Sequence, residues 1–325
     1  MVITVATMTE PVAHPTSTIT QPAVTSCAPW KRYQRPYVRD LAYVLACPNV
    51  LTKWLNLVPH QVTQTVMVHP RSFWYSQYEA YSARLEELDT TSAYQKLTRY
   101  LLARPSPSRL GFHFEGLLSF WLEDGFAHDL HPYEILASNV QLYQGKQTTG
   151  ELDLILYNHQ HQLTEHWELA IKFFMGSYPF DPVNWVGINA NDNLARKMTH
   201  MQTKQLRVLW VDTPNHGQVK IDKRYAIIKG RFFLPLHYQD FIYPDWLAPH
   251  FPLHEWCDKQ DIAGLASLDK SDLRRAHYIE WFTKRDFYDG KQKYEAGVDW
   301  ETSVPATGLY FENDRPIVIY FKQRK

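Results

Sequence analysis

Cysteine is scarce in this chain: Cys27, Cys47 and Cys257 are three in 325 residues, widely spaced and in no metal-ligand pattern. That excludes a disulfide framework and a Cys/His zinc site, and it points to a reducing compartment, with the cytoplasm as the expected location. An excess of charge of either sign is also missing. Lys plus Arg and Asp plus Glu number 34 each, so no global field draws the chain to nucleic acid or to an anionic membrane, and any phosphate binding has to be local. No apolar run approaches membrane-spanning length, and the N-terminus lacks a basic region followed by an apolar stretch and a cleavage site. Gly-rich phosphate loops of the Walker or dinucleotide type and the nucleophile-elbow motif are absent as well, which removes the commonest nucleotide-binding and esterase chemistries.

What is present is a globular composition, 45% apolar with 11 Trp, enough to bury a substantial core in one large domain or two ordinary ones. Residues 1–29, rich in Thr, Pro, Val and Ala with almost no charge, read as a disordered leader. Residues 30–107 read as a helical N-terminal region. Val38, Leu41, Ala42 and Leu45 share one helical face before Pro48, and further helices are expected over 72–88 and 92–103. Residues 108–240 read as an α/β core with a central mixed sheet flanked by helices, and 241–325 as a C-terminal extension packed on it. Within the core a helix capped by Ser108 is expected to Glu123, then strands at 133–143, 151–157 and 164–174. A Pro-, Gly- and Asn-containing loop over 176–190 precedes a helix at 192–206, followed by strands at 206–211 and 224–234. Strands are also expected at 308–311 and 316–321, with a mixed, partly helical stretch from 246 to 288.

Two of these strands carry charge where an apolar residue belongs. Gly150-Glu151-Leu152-Asp153 leads into one, and His166-Trp167-Glu168-Leu169-Ala170-Ile171-Lys172 forms the other. Side chains alternate along a strand, so Glu151 and Asp153 share a face, as do His166, Glu168, Ala170 and Lys172. Paired as a hairpin, the strands would gather acids and a lysine into one patch, and such patches persist mainly when the charges pair or bind a metal. A magnesium or manganese ion on Asp153, Glu168 and the carbonyl of Ile171, with Lys172 beside an attacking water, has the parts that phosphodiester hydrolysis requires. Glu115, on the edge of its helix's apolar arc, would reach the metal through water. Gln205, where a hydrophobe is expected, would contact substrate or brace the lysine, and His166 would act as a further ligand or bond a neighbouring carboxylate. The plainer alternative for Asp153 and Lys172 is a buried structural ion pair. Arg196, Lys197, Lys204 and Arg207 suit a phosphate backbone or simply a solvated helix face.

The Gly150–Asp153 segment, the strand ending in Lys172 and the preceding glutamate-bearing helix resemble the PD-(D/E)XK nuclease superfamily. More closely, Tyr37–Ala42, Gly111–Glu115, Gly150–Asp153, His166–Lys172 and Asn193–Leu206 resemble a bacterial family catalogued as domain of unknown function 1853, grouped with those nucleases. The resemblance implies a restriction-endonuclease-like fold, with the metal-binding acid at Asp153, the active-site lysine at Lys172 and the helix acid at Glu115. It implies nucleic acid, DNA or RNA, as the partner. One departure stands out: the superfamily acid two residues before the lysine is replaced by Ala170, and the nearest acid on that face is Glu168. Two functions are therefore carried forward, a Mg2+- or Mn2+-dependent nuclease and a catalytically inactive nuclease-like fold that binds nucleic acid or protein.

Overall fold

The computed structural model describes residues 28–59, 64–106, 109–188, 192–269, 273–285 and 306–320. The leader expected over 1–29 lies outside these but for its last two residues, as does the N-cap expected at Ser108. Four helices come first: α1 (Pro36–Ala46), α2 (Arg71–Thr90), α3 (Tyr94–Leu102) and α4 (Leu110–Ala127). Pro36 sits at the first position of α1, where its missing N–H costs no bond, and Pro48 lies just past the end. Helix α1 buries Val38, Leu41, Ala42 and Leu45 as its pattern demands, but also Arg39, Asp40 and Tyr43.

Asp40 explains part of that enclosure. Its carboxylate accepts from Thr283 Oγ1 at 2.6 Å and Arg285 Nη2 at 2.5 Å, and lies 3.0 Å from His113 Nε2 on α4. Burial alone would push this carboxyl up, but Arg285 and His113 outweigh it and hold it below the usual range. The C-terminal part of the chain is thereby pinned to the N-terminal helices.

Strands β1 (Tyr133–Gln144), β2 (Gln147–Asn158) and β3 (Leu163–Gly176) form an antiparallel meander, and the short β4 (Trp185–Gly187) pairs with the end of β3. Asn158 turns β2 into β3 by accepting from the N–H groups of Gln160 and His161 with its side-chain oxygen. Helix α5 (Leu194–His200) follows, capped by Asn193, whose side chain accepts from Arg196 N at 2.8 Å. It runs into a π-helical turn, Met201–Gln205. The hairpin β5 (Trp210–Thr213) and β6 (Gly217–Lys220) is a separate two-stranded sheet, so the strand expected at 206–211 begins late. Leu206 N still donates to Met201 O at 2.9 Å, which keeps that stretch helical.

The chain then returns to the main sheet as β7 (Lys223–Pro235), parallel to β3 over its whole length. Strand β8 (Leu253–Asp258) pairs parallel with β7, and helix α6 (Ile262–Ala266), β9 (Leu273–Arg275), β10 (Gly308–Glu312) and β11 (Arg315–Tyr320) complete the order. The result is a mixed nine-stranded sheet, β1-β2-β3-β7-β8-β11-β10-β9, with β4 beside β3. Strands β8 to β11 thus continue the same sheet, and the expected segment boundary at 240 falls between adjacent strands of it.

Core packing follows the strand period at the sheet's far end. Leu309, Phe311, Val318 and Tyr320 enter one cluster, and Tyr310, Ile317 and Ile319 the cluster on the opposite face. At the centre the alternation disappears. From Thr164 to Ala170 every residue of β3 is buried, because β2 and β7 flank it and layers cover both faces. Trp167, Leu169 and Phe174 join the main core with Trp74, Trp121 and the apolar sides of α1, α2 and α4.

Candidate functional site

The β2–β3 ladder runs from Asn158 and Leu163 to Leu154 and Trp167 and stops there. One step further along the same register, Asp153 and Glu168 face each other across the strands. The backbone ladder ends here because Leu169 N donates to Asp153 Oδ2, at 2.6 Å, instead of to a strand carbonyl. On the other flank of Asp153, Asn139 falls between the pairs Ser138–Leu154 and Val140–Leu152 with φ of 54°. The two charged strands therefore pair as the alternation of their side chains demands, and they bring the expected acids together.

Electrostatics sets this pair apart from an ordinary ion pair. Burial and the charge of Glu168 push the Asp153 carboxyl well above the usual range. Burial raises Glu168 to about 7, against the opposing charge of Lys197. Both side-chain oxygens of Glu168 are buried without a hydrogen-bond partner. Glu115, from α4, is raised to about 7 by burial and by Asp153, with Arg104 opposing. Three carboxyl groups thus share one field, and like charges in a poorly solvated place hold protons or take up a cation.

The remaining expected residues separate into neighbours and non-neighbours. His166 Nε2 lies 3.4 Å from Glu168 Oε2, fully buried, and burial lowers the imidazole to about 4, so it is neutral at physiological pH. Gln205 Nε2 donates to the carbonyl of Glu151 at 3.0 Å, bracing β2 rather than the lysine. The Glu151 side chain turns to β1, accepting from Asn139 Nδ2 at 2.7 Å and from Gln141 Nε2. Lys172 pairs with Asp192, Nζ to Oδ2 at 2.6 Å, and so is engaged by a different carboxylate from Asp153 and Glu168. Among the described residues, no three His, Cys, Asp or Glu side chains are grouped with metal-ligand spacing.

The cation nearest the acid pair is Lys197 of α5, with Nζ 3.8 Å from Glu168 Oε1. In the sequence it reads as a phosphate-backbone contact or a solvated helix face, not as a neighbour of the acids. The available signal is its spacing: Lys197 falls three residues after Leu194 and four before Met201, both buried, which places it at the edge of the apolar stripe. Asp192, the partner of Lys172, carries no such signal.

A hollow of about 260 Å³ opens beside the site, lined by Gly111 of α4, Ile171 and Lys172 of β3, Asp192 and Trp281 among others. A Cβ on Gly111 would stand 4.0 Å from Glu115 Oε1, so the hollow and the helix acid adjoin. Lys172 and the carbonyl-bearing Ile171 face this space, and the acid pair lies further along β3.

No helix among the described residues is long and apolar enough to cross a membrane. Neither a curated protein nor a solved structure matches the chain. A family model does match, from residue 39 to residue 301, which is most of the chain and takes in every residue of the acid pair and its surroundings. The chain belongs to the family described as Domain of unknown function (DUF1853).

Proposed function

We propose that this protein is a metal-dependent nuclease of restriction-endonuclease-like, PD-(D/E)XK type, hydrolysing phosphodiester bonds of DNA or RNA with Mg2+ or Mn2+. One observation carries the reading: Asp153 and Glu168 converge where β2 and β3 stop bonding each other, and the two buried oxygens of Glu168 have no donor beside them except the Asp153 carboxyl when that is protonated. Buried carboxylate oxygens without donors suit a hard divalent cation, which needs only one or two carboxylates when waters and substrate phosphate complete its shell. Asp153 and Glu168 would hold the ion, with the Ile171 carbonyl as a further ligand. When bound, it would acidify a water and offset charge on the phosphate.

The chain's own residues have distinct tasks in this reading. Lys197, with Nζ 3.8 Å from Glu168 Oε1, orients the attacking water. Lys172, at the hollow, contacts a phosphate oxygen in exchange for Asp192. Glu115 stores a proton near neutral pH, and His166, neutral and buried, lies beside Glu168 without bonding it. Cys47 and Cys257 are buried free thiols, compatible with the cytoplasm.

A second reading is favoured by one observation, the engagement of Lys172 by Asp192 together with Ala170 at the usual acid position: an inactive fold that binds nucleic acid or protein. A panel of single-stranded, duplex, branched and RNA substrates incubated with Mn2+ separates the two. Cleavage that Asp153→Asn removes supports the nuclease; binding of the same substrates without cleavage, equal in wild type and variant, supports the second reading.

A further inference from the structure

Apart from the acid pair, the described residues contain a cavity of about 360 Å³ between α1, the end of β7 and the C-terminal strands. Its walls include Trp30, Tyr43 and Phe311, and its charged residues are Lys31, Arg39, Arg231 and Lys284 against the single carboxylate of Asp314. Asp314 lies at the rim, two-thirds exposed, bridging Lys31 Nζ at 3.0 Å and Lys284 Nζ at 3.1 Å. Among the described residues of the lining, basic groups thus outnumber acidic ones, in a protein whose overall charge is zero.

Arg231 gives the cavity its chemistry. It is 9% exposed, its Nη2 donates to the carbonyl of Phe282 at 2.6 Å, and its guanidinium stands 5.7 Å from the centre of the Tyr43 ring. Its Nε is buried with no hydrogen-bond partner, and no carboxylate among the described residues pairs with it. A buried guanidinium without a counter-ion is costly, and its flat array of donors matches the oxygens of a phosphate or carboxylate. Arg39 adds a second guanidinium to the same wall, held by bonds from Nε to the Tyr33 carbonyl at 2.8 Å and from Nη1 to the Lys284 carbonyl at 3.0 Å. A carbonyl-anchored guanidinium with an unpartnered Nε beside aromatic walls, in a space of ligand size, forms a preorganised receptor rather than a solvated basic patch.

We propose that this cavity binds a small organic anion, its phosphate or carboxylate head on Arg231 and its apolar, ring-sized body against Trp30, Tyr43 and Phe311. The site shares no residue with Asp153, Glu168 or Lys197, so it stands whether or not the chain cleaves nucleic acid.

Isothermal titration calorimetry of the full chain with phenyl phosphate, benzoate, inorganic phosphate and benzyl alcohol tests this. Saturable binding of phenyl phosphate or benzoate is expected, tighter than inorganic phosphate and with no binding of the neutral alcohol; which of the two binds better identifies the head group. Arg231→Gln should weaken binding about tenfold or more, as expected for loss of a charged hydrogen bond. Should that variant fail to fold, two rim substitutions decide: Lys31→Gln should weaken binding and Asp314→Asn should tighten it. Absence of saturable binding by either aromatic anion, equal binding of benzyl alcohol or inorganic phosphate, unchanged affinity in folded Arg231→Gln, or rim substitutions without effect in those directions would each overturn the proposal.

Discussion

Lys197 Nζ lies 3.8 Å from Glu168 Oε1, from a helix that the chain reaches only after leaving the sheet. The strand lysine, Lys172, is bound to Asp192 instead. In the proposed mechanism the cationic side chain beside the acid pair comes from α5, and the two lysines should differ in what their loss does. Lys197→Met should lower the cleavage rate about 100-fold or more, in the range of a lost electrostatic contact to the reacting group. Lys172→Met should cost about tenfold, as for one phosphate contact. Single-turnover rates on a cleavable substrate check this, and the reverse ranking would return the catalytic role to Lys172.

Glu168 makes metal-free stability depend on pH with a definite sign. Its folded value of about 7 lies above the ordinary 4.5, so between those values the folded state binds more protons than the unfolded one. Its contribution is full below about pH 4.5 and is lost as pH rises to about 7. Buried histidines such as His166, lowered to about 4, titrate in the opposite sense, so the informative quantity is the difference from Glu168→Gln. The two proteins should match at low pH, and the variant should be more stable at about pH 8 by up to about 3 kcal/mol, at roughly 1.4 kcal/mol per pH unit of displacement. Denaturant unfolding in chelator at both pH values measures it. A gap that does not grow with pH would show that the Glu168 carboxyl is not held up by its surroundings.

Gly230 fixes how closely β7 approaches the site strand. Its φ is +135°, and a Cβ there would stand 1.7 Å from the carbonyl oxygen of Lys172. No side-chain rotation relieves a clash with backbone, so Gly230→Ala should destabilise the protein by more than about 3 kcal/mol. Chemical denaturation, or loss of soluble protein, reports the effect; near-wild-type stability would mean that β3 and β7 separate at this point.

Asp40 ties α1 and α4 to Thr283 and Arg285 with a carboxylate that is fully buried. Asp40→Ala strands the Arg285 charge in the interior and should cost about 3–5 kcal/mol, the usual range for breaking one half of a buried pair. A single cooperative transition, shifted as a whole, is expected in thermal unfolding, since strands β8 to β11 belong to the same sheet as the rest. Two separated transitions would show that the C-terminal strands form an independent unit.

Much of the fold was legible because long strands and helices carry strong periodicity. The helices from Pro36 to Ala127, the meander from Tyr133 to Gly176 and the β7 strand follow apolar spacing and turn residues within a few positions. Strand β8, Leu-His-Glu-Trp-Cys-Asp, was not, since a short polar strand takes its identity from the two parallel partners it joins, and no local pattern records them. In the site, Asp153 and Glu168 were legible from strand alternation alone, which places directly opposed residues on one face. The fate of Lys172 was not, because alternation says which face a side chain starts from and nothing of Asp192, which is near only after the crossover folds back. The closeness of Lys197 to Glu168 was hidden for the same reason: a lysine at the edge of an apolar stripe usually snorkels to water, and only tertiary structure supplies a buried glutamate in its path.

The most direct test of the site is calorimetric titration of Mn2+ into the full chain at about pH 8, above the value of about 7 for Glu168. Wild type should bind one ion saturably, and Asp153→Asn and Glu168→Gln should each abolish that binding while remaining folded. Absence of saturable binding to wild type, or binding that both variants retain, would contradict a metal seat at Asp153 and Glu168.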